Sequence, residues 1–83
     1  AENITITISK QGGLYWEDSM VSFDRFLLEL IKYDAICRQE GLQARILLNA
    51  DNKAPYGQVE TILDEIRKAA ISKVTIETRV VSA

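Results

Sequence analysis

Histidine is missing from this sequence and cysteine is nearly so, which removes several common routes to catalysis and metal binding. The 83 residues contain no histidine and one cysteine, Cys37. Histidine is the most common general base and transition-metal ligand. A single thiol cannot form an internal disulfide. Cys37 is predicted near a helix C-terminus, where the helix dipole opposes a thiolate, so we interpret it as a small buried hydrophobe, with intermolecular pairing as the alternative.

Excess charge and long apolar runs are also missing. The net charge is −2 and the sequence pI is about 5.0, whereas a nucleic-acid-binding domain would carry a basic stripe. No segment approaches the roughly 18 consecutive apolar residues that indicate a transmembrane helix. The length suits one small domain, residues 1–83. Because the first residue is Ala1 rather than Met, we expect the chain to be part of a longer protein.

The first part of the chain has the pattern of a β-hairpin. In residues 3–9, isoleucine alternates with threonine and serine, which predicts a half-buried strand. The sequence KQGG then indicates a turn with Gly12 and Gly13 at the bend, and LYWE indicates a second short strand. Residues 17–22 fit a loop, a bulge or a third short strand.

Two segments have the apolar spacing of amphipathic helices. Residues 23–39 form the first, with Ser22 as N-cap and Gly41 just past its end. Residues 56–70 form the second, with Pro55 in its first turn. The core-facing stripes are predicted to contain Phe23, Phe26, Leu27, Leu30, Ile31 and Cys37 in the first helix and Tyr56, Val59, Ile62, Leu63, Ile66, Ala69 and Ala70 in the second.

Two further strands complete the predicted fold. Residues 44–50 are nearly all apolar, as in a central strand. Residues 73–79 alternate, with Val74 and Ile76 predicted inward and Thr75 and Glu77 outward. The order ββαβαβ predicts an α+β fold: a two-layer sandwich with a mixed sheet and both helices on one face. The strand–helix–strand unit at the end predicts a parallel pair.

The loop between residues 49 and 58 is where an enzyme of this architecture could carry chemistry. It has one glycine and lacks the Lys–Ser/Thr pair of a phosphate-binding loop. Asp51 follows a strand, but no set of carboxylates or lysines is predicted to converge on it. We therefore predict that Asp51 and Asn52 cap the loop and the helix entry. The pattern predicts no catalytic residue, cofactor or metal site.

Residues 46–78 resemble the periplasmic domain of the ExbD/TolR biopolymer-transport family. That family has an apolar strand ending in Ala-Asp, a Tyr at a helix start, and a strand ending in Thr. Ala50, Asp51, Tyr56, Val59, Asp64, Ile71, Lys73, Val74 and Thr78 fall on those positions. The first half resembles the family more loosely. The chain departs from the family at Ala70, where glycine is usual; either alanine adopts the left-handed conformation or the helix ends through Ser72.

The resemblance implies a function in energy transduction by protein contact. Such proteins have one N-terminal transmembrane anchor in the inner membrane, with an Asp that handles the proton, and a periplasmic domain that tends to dimerise. They associate with an ExbB/TolQ-like membrane subunit and contact a TonB/TolA-like energy transducer. In the TolR branch they also contact peptidoglycan. Within the family, Asp51 and Tyr56 are motif positions that we interpret as structural.

A partner segment could add to an exposed edge of the sheet through main-chain hydrogen bonds. The predicted partner-binding edge is the last strand, with the opening strand as the alternative. Its residues are Val74, Thr75, Ile76, Glu77, Thr78 and Arg79. A different hypothesis is an autonomous regulatory domain that binds a small molecule in a cleft near Asp51 and Tyr56.

Overall fold

A computed structural model describes residues 3–79 and contains two helices and five strands within that range. In chain order these are β1 (Ile4–Ile8), β2 (Leu14–Trp16), β3 (Ser19–Met20), α1 (Phe23–Glu40), β4 (Arg45–Asp51), α2 (Tyr56–Lys68) and β5 (Lys73–Arg79). The predicted α+β class is confirmed. The uncertain 17–22 segment contains the extra strand β3, so the order is βββαβαβ.

The strands form one mixed sheet in the order β3-β2-β1-β4-β5. β1 pairs antiparallel with β2 and parallel with β4, and β4 pairs parallel with β5. The predicted hairpin and the predicted parallel pair are therefore both confirmed. The alternative edge was wrong, because β1 lies between two strands and has no free side.

One core joins both helices to one face of the sheet. The sheet contributes buried residues at every second position of its two central strands, which places them on the same face. These residues are Ile6 and Ile8 in β1 and Ile46 and Leu48 in β4. Phe26 and Leu30 of α1 and Ile62 and Ile66 of α2 pack in the same buried cluster. Both helices therefore lie on the same face, as predicted.

The helix ends follow from local chemistry. Ser22 caps α1 by accepting a hydrogen bond from the Arg25 amide at 3.1 Å, and Gly41 closes it in the left-handed conformation with φ 69°; both predictions are confirmed. After α2, Ala70 takes the left-handed φ of 61°. The predicted alternative of an ending through Ser72 was wrong.

Several predicted details differ from the structure. Pro55 is the N-cap of α2 rather than a residue of its first turn, and no side chain caps that helix. Asp51 is the last residue of β4 instead of following it. Ile31 and Tyr56, predicted to face the core, are 65% and 74% exposed. Apolar residues at helical spacing do not all reach the core, since two helices cover a small sheet on one side only.

Candidate interaction edge

β5 forms one edge of the sheet. It pairs with β4 over seven residue pairs, from Arg45↔Lys73 to Asp51↔Arg79. Within residues 3–79, no strand pairs with its other side. The six residues predicted to bind a partner all lie in β5. The other edge, β3, is only two residues long, so β5 offers the longer run of main chain for pairing.

The two faces of β5 differ in chemistry. Val74 and Ile76 are in register with the buried residues Ile46 and Leu48 and share the helix-covered face. Lys73, Thr75 and Glu77 alternate with them and lie on the open face of the sheet. The predicted orientation is therefore confirmed, but Ile76 is not buried.

Ile76 is 53% exposed although its register partner Leu48 is fully buried. This difference in exposure follows from the position of each strand in the sheet. Among the described strands, Leu48 lies in β4, which has a neighbouring strand on both sides, whereas Ile76 lies in β5, which has a neighbouring strand on one side. An aliphatic side chain at an open strand edge is available to contact another chain.

A hollow borders this edge on the helix-covered side. Its volume is about 260 Å³ and it lies between α2 and β5. The lining side chains are mostly aliphatic: Leu63, Ile66, Ile71, Val74 and Ile76, with Arg67 and Ser72. The guanidinium of Arg67 forms an ion pair with Asp64 at 2.7 Å. From the sequence, Leu63 and Ile66 were predicted to face the core, and Ile71 was matched to the family pattern. Their spacing could not have revealed the hollow, because an apolar residue in its wall has the same spacing as one in the core.

The two motif residues near the 51–56 loop lie in different environments. Asp51 is buried, and its Oδ1 accepts a hydrogen bond from the Lys53 amide at 2.8 Å. This confirms the predicted capping of the loop by Asp51. The predicted capping of the helix entry was wrong, because no side chain caps α2. Tyr56 is exposed at the start of α2, where a hydrogen bond with Glu60 raises the pKa of its phenol. Asp51 is thus a buried residue bonded to the loop that follows β4, and Tyr56 is a surface residue.

Small ligands usually occupy cavities of about 300–1,000 Å³. A hollow of about 490 Å³ is lined by Ile4, Trp16, Tyr33 and Ile36 among others. Ile4 begins β1, whereas Asp51 ends the parallel strand β4, so this hollow lies at the opposite end of the sheet from the cleft that the small-molecule hypothesis requires.

Neither helix in the described part of the chain combines the length and apolar character needed to cross a bilayer. Over the same residues, no three side chains of the metal-binding types come together. What the described residues offer is an open strand edge beside an aliphatic hollow.

Comparison with known proteins gives one clear finding. A sequence model of the family described as "Biopolymer transport protein ExbD/TolR" matches residues 1–80, which is nearly the whole chain. A search of curated proteins found no significant match to the sequence.

Proposed function

Because the chain belongs to the ExbD/TolR family of biopolymer transport proteins, we propose that it is the periplasmic domain of a membrane-anchored accessory subunit in a complex driven by the proton motive force. The family consists of transport accessory proteins, which work with ExbB/TolQ-type and TonB/TolA-type partners. The complex would be of the ExbB–ExbD–TonB or TolQ–TolR–TolA type. The domain itself acts by protein contact and performs no chemistry.

The family match carries this proposal, and the geometry of β5 supports this strand as the place of contact. A strand with one unpaired side presents main-chain donors and acceptors that an extended segment can pair with. β5 is seven residues long, which is enough for several hydrogen bonds. Under this proposal a segment of the TonB/TolA-like transducer or of a second copy of the domain adds next to residues 74–79.

The test compares two neighbouring substitutions in β5. Ile76→Pro removes a main-chain N–H and fixes φ, so it interrupts strand pairing. Glu77→Ala shortens a side chain that is exposed at the surface and leaves the main-chain N–H of β5 in place. We expect Ile76→Pro to abolish co-purification of the full-length protein with its transducer and Glu77→Ala to leave it nearly unchanged.

The fold of each variant is checked by circular dichroism, because a proline can also disturb the ladder to β4. As a second measurement, a photo-crosslinking residue at Thr75 should capture the partner, and one at the exposed Ile31 of α1 should not. Equal co-purification of the two β5 variants, or equal crosslinking from Thr75 and Ile31, would contradict docking at β5.

A further inference from the structure

The hollow beside β5 has a consequence for what kind of segment can dock there. We propose that it is an anchor pocket, which selects an extended segment carrying an aliphatic side chain on the face that turns toward α2. This inference rests on the proposed role of β5 as a docking edge and adds to it the chemistry of the partner.

The position of the hollow identifies the side chain that would fill it. A strand added to β5 continues the alternation of the sheet, so every second side chain turns toward the helix-covered face. Val74 and Ile76 occupy that face of β5 and also line the hollow. A side chain of the added strand next to them would project over the hollow, where Leu63 and Ile66 form the wall on the α2 side.

The lining determines the chemical class of that side chain. Five of the seven lining residues are aliphatic, and the charged residue among them, Arg67, is in an ion pair with Asp64. An aliphatic side chain removes apolar surface from water on both partners, whereas a carboxylate would lose hydration there. The volume of about 260 Å³ accepts a branched aliphatic group.

The side chains on the open face of β5 contribute to the register of the added strand rather than to its affinity. Lys73 and Glu77 lie there with opposite charges and Thr75 between them, and all three are exposed. Exposed charge pairs add little affinity because water and salt screen them. They favour one register of the added strand, while the anchor residue on the other face provides the affinity.

Synthetic peptides test this with the protein left unchanged. The probe is a nine-residue peptide with a lysine at each end, in which threonine alternates with valine and the central position is Leu, Ala or Asp. A fourth peptide has the central Leu and N-methyl groups on alternate amides, which block strand pairing along one side. Binding to the chain is measured by fluorescence anisotropy and by NMR shifts of the β5 amides.

We expect the Leu peptide to bind roughly tenfold more tightly than the Ala peptide, since the leucine buries additional methyl and methylene groups. The Asp and N-methylated peptides should not bind measurably. Equal binding of Leu, Ala and Asp would overturn the anchor pocket while leaving docking at the edge intact. Equal binding of the N-methylated peptide, or no binding of any probe, would overturn the docking edge itself and with it the anchor.

Two matched variants assign the effect to the hollow. Ile76→Asp places a carboxylate at the hollow, and Ile31→Asp places one on α1; both isoleucines are more than half exposed, at 53% and 65%. We expect Ile76→Asp to remove the preference for Leu over Ala, and Ile31→Asp to retain it. Retention of the preference by Ile76→Asp would contradict the assignment.

Discussion

Ala70 has a backbone conformation that its Cβ atom disfavours. Its φ of 61° is left-handed, a region that costs residues with a Cβ about 1 kcal/mol or more. The Ala70 amide still donates to the Arg67 carbonyl at 2.9 Å, and the Ile71 amide reaches the Ile66 carbonyl at 3.4 Å. The helix end thus keeps its hydrogen bonds and tolerates the strain.

Ala70→Gly should therefore stabilise the domain. We expect the free energy of unfolding to rise by about 0.5–1 kcal/mol, because glycine adopts this conformation without the Cβ clash. The measurement is urea denaturation followed by circular dichroism. Ala69→Gly is the matched control: Ala69 has φ −78°, so glycine there only loosens the unfolded chain and should lower stability. Stabilisation by both changes, or by neither, would contradict this explanation.

At the scale of elements, one side chain connects α1 to the sheet. The hydroxyl of Tyr33 accepts a hydrogen bond from the Arg45 amide at 2.9 Å and donates one to the Arg45 carbonyl at 3.1 Å. Its ring lies against Trp16 with centroids 6.4 Å apart. Tyr33 therefore fixes the start of β4 relative to α1 and β2. Burial raises the pKa of this phenol above its ordinary value of 10.0.

Tyr33→Phe should lower the free energy of unfolding by about 1 kcal/mol at neutral pH, because the phenol hydrogen bonds are lost at a partly exposed site. The folded-state pKa is raised, so the contribution of Tyr33 is fully present below pH 10 and is lost as pH rises through the folded-state pKa. The difference between wild type and variant should be constant from pH 7 to about 9 and shrink above pH 10, as measured by urea denaturation at each pH. Tyr56→Phe, at an exposed position, should change stability little at neutral pH. A difference that grows above pH 10 would refute this role for the Tyr33 hydroxyl.

Most elements could be predicted from the sequence because their signals are local. The β5 bounds of residues 73–79 follow from alternation, and the α1 ends follow from Ser22 and Gly41. The exposure of Ile31 and Ile76 could not be predicted, since it depends on which strands lie next to each other and how far the helices extend across them. The hollow beside β5 could not be predicted for the same reason, because it depends on how α2 lies relative to β5. Sequence reasoning thus identified the strand that forms the candidate site and missed the pocket next to it.

At the scale of the whole molecule, residues 3–79 form a sheet whose one face is covered by both helices and whose β5 edge is not paired by any other described strand. The described part of the chain exposes several large apolar side chains, among them Ile31 and Ile76. Exposed aliphatic residues beside a strand with one open side support the proposed function by protein contact. The ExbD/TolR family is membrane-anchored with a periplasmic domain, and the proposed function assigns the proton chemistry of the complex to the anchor.

The most direct measurement is to sequence the gene upstream of the codon for Ala1. If this chain is the periplasmic domain of an anchored subunit, that sequence encodes a stretch of about 20 apolar residues containing one Asp, preceded by a short basic segment. A start codon directly before Ala1, or a second soluble domain in place of the apolar stretch, would contradict the proposed function.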